Sequence, residues 1–306
     1  MFFLFSNPHM RVMLTGIFFA SLSACLGGTT FVFTRIVIPQ TDPATLSFLR
    51  YGLIGLILFA FSAKTVLNIS MPKRDVIGIV IIGLGMFAIF PFFMAFGLSY
   101  TTAARGGLLY ATMPLATIII ATLFKIERPT LAKILAVILA MVGVVTAIGT
   151  KVSPDNLSLL KGDALVMVSV LGAAVFTVFS AKYMAKYGNL PVMVFSAISG
   201  VSTTFVLSLF IGAPLDGSLS LDGSGWFAIF MLVVPGGALM MYAWGRALMI
   251  ISPTQAAISL GFNPLTAMLL GALLIGEEIT LQFIAGFLMV VSAVVLSNIS
   301  LKGRQG

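Results

Sequence analysis

The chain has 306 residues, 59% of them hydrophobic and only 8% charged, and a mean hydropathy of +1.14. A soluble domain needs roughly 25% charged residues to cover its surface, so most of this surface faces lipid rather than water. The net charge of +8 would raise nucleic-acid binding on a soluble chain, but the basic residues fall in short clusters between apolar runs, and the expected partner is the bilayer, with no nucleic acid.

Taken from the N-terminus, Arg11, an apolar run and Leu22-Ser23-Ala24-Cys25 resemble a lipoprotein cleavage box. The hydrophobic part of such a leader is only about 7–15 residues long, whereas this run continues past Cys25 through Phe33. Cys25 therefore reads as a small buried residue of a first membrane helix. A span needs about 20 mostly apolar residues. That rule predicts helices over 13–35, 44–63, 76–99, 102–124, 131–149, 163–184, 191–212, 225–249, 254–275 and 281–300. The expected fold is all-α, a polytopic membrane protein of ten transmembrane helices. With one cysteine and one histidine, His9 in the N-terminal tail, no metal site, catalytic site or cofactor is expected.

Orientation follows from the loops. With the N-terminus inside, Arg11, Lys64, Lys73, Arg74, Lys125, Arg128, Lys133, Lys182, Lys186, Lys302 and Arg304 are cytoplasmic, against Arg35, Lys151 and Lys161 outside. The bias predicts both termini in the cytoplasm, in a bacterial inner membrane.

The chain also repeats itself. A shift of 150 residues superposes Pro114-Leu115 on Pro264-Leu265, Glu127 on Glu277, and Thr130-Leu131 on Thr280-Leu281. A slightly smaller shift pairs Pro43 with Pro191 and Gly52 with Gly200. Two halves, 1–150 and 151–306, of five helices each enter the membrane in opposite senses because five is odd. Inverted repeats of this kind are common among secondary transporters, with a site near the midplane where the repeats meet.

Within helices 4 and 9, Ala103, Gly107 and Ala111 form a small-residue stripe that Ala257 and Gly261 repeat. Small residues let helices approach closely in lipid, so close packing is their first use and framing a pathway the second. Pro114 and Pro264 each remove a helix N–H and press on the carbonyl four residues earlier, Tyr110 and Leu260. A freed carbonyl can serve a hinge or a ligand. Asn263 suits either a substrate or a neighbouring helix. Arg50, about two turns inside helix 2, costs at least ~2.5 kcal/mol to bury, so it should face water, a carboxylate or the substrate. Its repeat mate is Ile198. Arg105 and Arg246 lie nearer helix ends, where snorkelling explains them. Tyr110, Tyr242 and Gln255 are the preferred cavity-lining residues. All nine acids map to helix ends or loops, which disfavours exchange of drug cations on a buried carboxylate.

Five-plus-five helices, the segment Pro43-Ala-Thr-Leu-Ser-Phe-Leu-Arg50, Gly97-Leu-Ser-Tyr-Thr-Thr-Ala-Ala104 ahead of Pro114-Leu115, and Gly276-Glu277-Glu278-Ile279-Thr280 ahead of Gly286 resemble the EamA branch of the drug/metabolite transporter superfamily. The resemblance implies transport of amino acids or other small organic molecules through a cavity between the halves, with export the usual direction. It also implies that Arg50 is a recurrent feature of helix 2. The first acidic turn, Ile126-Glu127-Arg128-Pro129, lacks the glycine of that pattern. The expected function is thus alternating-access transport of a small metabolite, with a carboxylate favoured by Arg50 and a monomer as one possible state. The alternatives are a passive channel and a membrane-embedded lipid-modifying enzyme. Only Glu277-Glu278 offers an adjacent acid pair for the latter, and the protein is expected not to be an enzyme.

Overall fold

A computed structural model describes residues 8–37, 40–100, 109–110, 112–127, 130–148, 157–214, 219–275 and 281–299. Among these the chain is helical, without strands. The helices are α1 (Pro8–Val37), α2 (Pro43–Asn68), α3 (Lys73–Leu84), α4 (Phe90–Tyr100), α5 (Met113–Leu123), α6 (Leu131–Ile148), α7 (Leu157–Tyr187), α8 (Asn189–Ile211), α9 (Gly223–Val233), α10 (Met240–Leu248), α11 (Pro253–Ser259), α12 (Phe262–Ile275) and α13 (Leu281–Ile299). π-helical turns at Gly85–Ile89 and Val234–Leu239 join α3 to α4 and α9 to α10.

Six helical stretches are long and apolar enough to cross a bilayer: Arg11–Thr34, Pro43–Asn68, Lys73–Gly97, Leu160–Tyr187, Asn189–Ile211 and Gly223–Leu248. Shorter apolar helices lie at Met113–Leu123, Leu131–Gly143 and Ile284–Ala293. All ten predicted segments contain helix, but the fourth and ninth are broken rather than merely bent. Phe61, Phe210 and Leu281 are more than 80% exposed, as expected of side chains that meet acyl chains.

Local chemistry sets the helix ends. Asp42 caps α2 by accepting the Thr45 N–H at 2.8 Å ahead of Pro43, a cap that stabilises a helix by about 1 kcal/mol. Asp222 caps α9 through the Gly225 N–H at 2.7 Å. Ser252 and Gln255 cap α11 reciprocally, which satisfies two otherwise orphaned groups. Between α7 and α8 the chain turns through Gly188 at φ +87°, a conformation glycine adopts without a Cβ penalty.

The helix pairings come in matched sets. The first π turn packs on α7 and α8, the second on α1 and α2. Likewise α5 packs on α7 as α12 packs on α1, while α2 pairs with α8, α6 with α13 and α5 with α11. The centre is apolar and aromatic: Phe87 meets Tyr51 at 6.0 Å and Phe176 at 6.1 Å, both edge-on. Glycines permit the close crossings. A Cβ on Gly200 would lie 2.2 Å from the Phe87 Cβ, and one on Gly85 would lie 2.6 Å from the Gly172 carbonyl.

Candidate functional site

Arg50 sits in the second turn of α2, beside the second π turn. A π turn shifts the hydrogen-bond ladder by one residue, a device frequent at functional sites, and Pro235-Gly236-Gly237 supplies the residues that allow it here. Arg50 Nη2 donates to the Gly236 carbonyl at 3.2 Å, and the guanidinium lies 5.3 Å from the Tyr51 ring centre. Arg50 is half-buried. Its Nε finds no hydrogen-bond partner, and it makes no ion pair, among the described residues. One carbonyl and one ring face are modest recompense for a guanidinium with five donors.

Tyr110 lies within electrostatic reach of Arg50, with Asn263 beside Tyr110. The Tyr110 hydroxyl lies against the Asn263 side chain and is close enough to feel Tyr51 and Arg50 electrostatically. Its ring packs on Phe90 at 6.0 Å. Asn263 is 5% exposed, and its Oδ1 lacks a partner among the described residues. Gly27 and Gly28 of α1 let this asparagine approach: a Cβ on Gly27 would lie 3.0 Å from Asn263 Oδ1, and one on Gly28 would lie 2.3 Å from the Asn263 carbonyl.

Of the predicted lining residues, Arg50, Tyr110 and Asn263 therefore come together. Tyr242 and Gln255 have other partners. The Tyr242 carbonyl accepts from Asn189 Nδ2 at 2.8 Å, and the Gln255 Oε1 accepts the Ser252 N–H at 3.1 Å as part of the α11 cap. Arg246 is half-buried near the Phe19 ring at 5.9 Å. Gly107, Ala111, Arg105 and the Glu277-Glu278 pair lie outside the described residues.

Two of the expected hinge positions behave differently from the sequence reading. Pro114 is not mid-helix: it stands in the first turn of α5, after a break at Thr112, whose hydroxyl donates to the Leu109 carbonyl at 2.6 Å. A proline in a first turn costs no ladder bond. Before Pro264, α11 ends in a tight turn, with the Leu260 N–H bonded to Ala257 and the Gly261 N–H bonded to Ile258. The Leu260 carbonyl, expected to be freed, accepts the Asn263 N–H at 2.9 Å instead. Ala257 is fully buried, and a Cβ on Gly261 would touch Val290 at 3.0 Å, so both pack closely.

The sequence reading missed the π turns and a polar cluster at one end of the bundle. There Lys133 Nζ lies 2.8 Å from Glu127 Oε2 and 3.3 Å from the Ser252 hydroxyl, while the Thr254 N–H donates to Glu127 Oε1 at 3.3 Å. The only signal for the π turns was Gly83-Leu-Gly85 and Pro235-Gly-Gly237; for the cluster there was none, because its members lie far apart in sequence. No group of three potential metal ligands occurs among the described residues.

Comparison with known proteins places the chain. The model of the EamA-like transporter family matches residues 14–149 and again 160–299. The chain belongs to that family and through it to the drug/metabolite transporter superfamily; it is a multi-pass membrane transporter. It is 24% identical to the uncharacterized transporter YcxC of Bacillus subtilis over 93% of both chains. It is 26% identical to the uncharacterized inner membrane transporter YicL of Salmonella typhimurium, over 92% of this chain and 95% of the relative. An uncharacterized transporter of Archaeoglobus fulgidus is 23% identical over 87% of this chain and 92% of its own. A solved structure described only as a crystal structure of a protein shares the fold, with a TM-score of 0.78 at 17% identity, covering 97% of this chain and 99% of that one.

Proposed function

We propose that the protein carries a small organic anion, an amino acid or similar carboxylate, out of the cell by alternating access between two inverted five-helix halves, residues 1–150 and 151–306. Both chain ends face the cytoplasm of a bacterial cell and the passage runs between the halves. The observation that carries the substrate class is Arg50. A half-buried guanidinium holding one carbonyl, with its Nε unpartnered among the described residues, costs at least ~2.5 kcal/mol in a membrane, and an arriving carboxylate offsets that cost with charge-assisted bonds. Tyr110 and Asn263 stand beside it to orient the rest of the ligand.

The inverted halves draw support from three features. The π turns at Gly85–Ile89 and Val234–Leu239 fall about 150 residues apart, the same offset that superposes Pro114 on Pro264. The helix pairings are matched across the halves. The family model fits the chain twice, once per half.

The test is a thermal-shift screen of the purified protein against amino acids, nucleobases and organic acids, followed by flux into proteoliposomes. A carboxylate that stabilises the parent but not Arg50→Ala, with saturable flux, is the expected result. Equal stabilisation of both proteins removes Arg50 from the site. Linear, non-saturating flux replaces the carrier with a channel.

A further inference from the structure

The cluster around Glu127 ties the two halves together at one end of the bundle. Glu127, in the turn after α5, pairs with Lys133 at the start of α6, and both belong to the first half. Their partners, the Ser252 hydroxyl and the Thr254 N–H, open α11 in the second half. The two charged side chains are only 11% and 9% exposed. A pair this dry makes a weak case for stability, since desolvation cancels much of the attraction. It does fix one geometry firmly, because removing either partner leaves the other charge buried.

A second, independent feature lies on the helices that meet there. α5 and α11 pack on each other and both touch α7. On α5 the Thr117 hydroxyl, on α7 those of Thr177 and Ser180, and on α11 the Gln255 Nε2 are buried with no hydrogen-bond partner among the described residues. All four residues are at most 6% exposed. Unsatisfied buried polar groups are rare and costly. Here they lie on three mutually packed helices, two of which, α5 and α11, are tied at their ends by Glu127 and its hydrogen bond to Thr254. Water would satisfy them all if the helices parted.

We propose that Glu127 and Lys133 form a latch on the α11 N-terminus that holds this end of the passage closed, and that Thr117, Thr177, Ser180 and Gln255 belong to the wall that water wets when the latch releases. This rests on the reading of two rocking halves.

The test uses full-length protein with Cys25→Ser and Ser180→Cys, and reads the rate of N-ethylmaleimide labelling in detergent. Glu127→Gln and Lys133→Met should each raise the rate roughly tenfold, the size expected when a hydrogen-bonded charge loses its partner. Lys133→Arg, which keeps the charge, should retain the parent rate. Asp75→Asn breaks another ion pair of 2.8 Å, to Lys186, which is exposed, and should leave labelling unchanged. Finite parent labelling that neither Glu127→Gln nor Lys133→Met alters overturns the latch and leaves the rocking standing. An equal rise in Asp75→Asn also overturns it, as general loosening. No labelling in any of these proteins overturns both.

Discussion

The two π turns are the same backbone device put to different use. At Gly85–Ile89 the turn presents Phe87, fully buried between Tyr51, Phe176 and the backbone of Gly200. At Val234–Leu239 it presents a carbonyl, Gly236, to the Arg50 guanidinium. The first turn is thus closed by aromatic packing and the second is engaged by a cation. A repeated scaffold need not repeat its chemistry: one mate is a packing joint, and the other sets a cation against a backbone carbonyl.

Several substitutions separate the two roles. The largest effect should come from Gly200→Val. Its Cβ would meet Phe87 Cβ at 2.2 Å and the Phe87 backbone at 2.7 Å, atoms that cannot swing aside, so folded yield and Tm should fall sharply, by more than the ~1–3 kcal/mol usual for overpacking. Arg50→Met should next abolish ligand-induced stabilisation while leaving the ligand-free Tm close to the parent, because the loss of one bond to Gly236 is offset by removing a costly buried charge. A Tm drop as large as that of Gly200→Val would make Arg50 a structural residue and erase the contrast between the two turns.

Gly237→Ala should cost less than Gly200→Val, because its closest obstacle is the Ile54 side chain at 2.4 Å, which can change rotamer. The Leu232 carbonyl stands farther off at 2.8 Å, whereas at Gly200 the Phe87 Cβ and backbone themselves block the way. Equal Tm losses would mean that both turns are packed alike.

The smallest effect concerns the cap of α9, the helix that leads into the second π turn. The Gly225 N–H, with Ser224 and Gln40, holds the Asp222 carboxyl below the usual carboxylate value. The stabilisation is complete above the ordinary aspartate pKa and is lost as pH falls through the lower folded value. A Tm-versus-pH profile should therefore decline at the acidic end less steeply in Asp222→Asn than in the parent. Identical profiles would show that the cap contributes nothing measurable.

Much of the fold could be read from hydropathy. The long apolar runs, the short loops and the caps at Asp42-Pro43 and Ser252-Pro253 all carry local signals. Arg50 was legible because a cation inside an apolar run is costly, and Asn263 because it stands beside a proline. The π turns were not: a ladder shifted by one residue leaves composition unchanged, and only glycine and proline hinted at it. Gln255 reads as cavity lining from its polarity alone; that its Oε1 accepts the Ser252 N–H in the α11 cap while its Nε2 has no partner among the described residues shows only in three dimensions. Glu127 reads as a loop acid because Thr254, whose N–H donates to it, arrives from the other half.

The central claim is that corresponding points of the two halves lie on opposite sides of the membrane. Asn68, the last residue of α2, and Ser224, at the start of α9, are both exposed and flank corresponding connections, α2 to α3 and α8 to α9. With Cys25→Ser as background, Asn68→Cys and Ser224→Cys can be labelled in intact cells by a membrane-impermeant maleimide. Ser224→Cys should react from outside and Asn68→Cys only after the cells are opened. Labelling of both from the same side would contradict the claim.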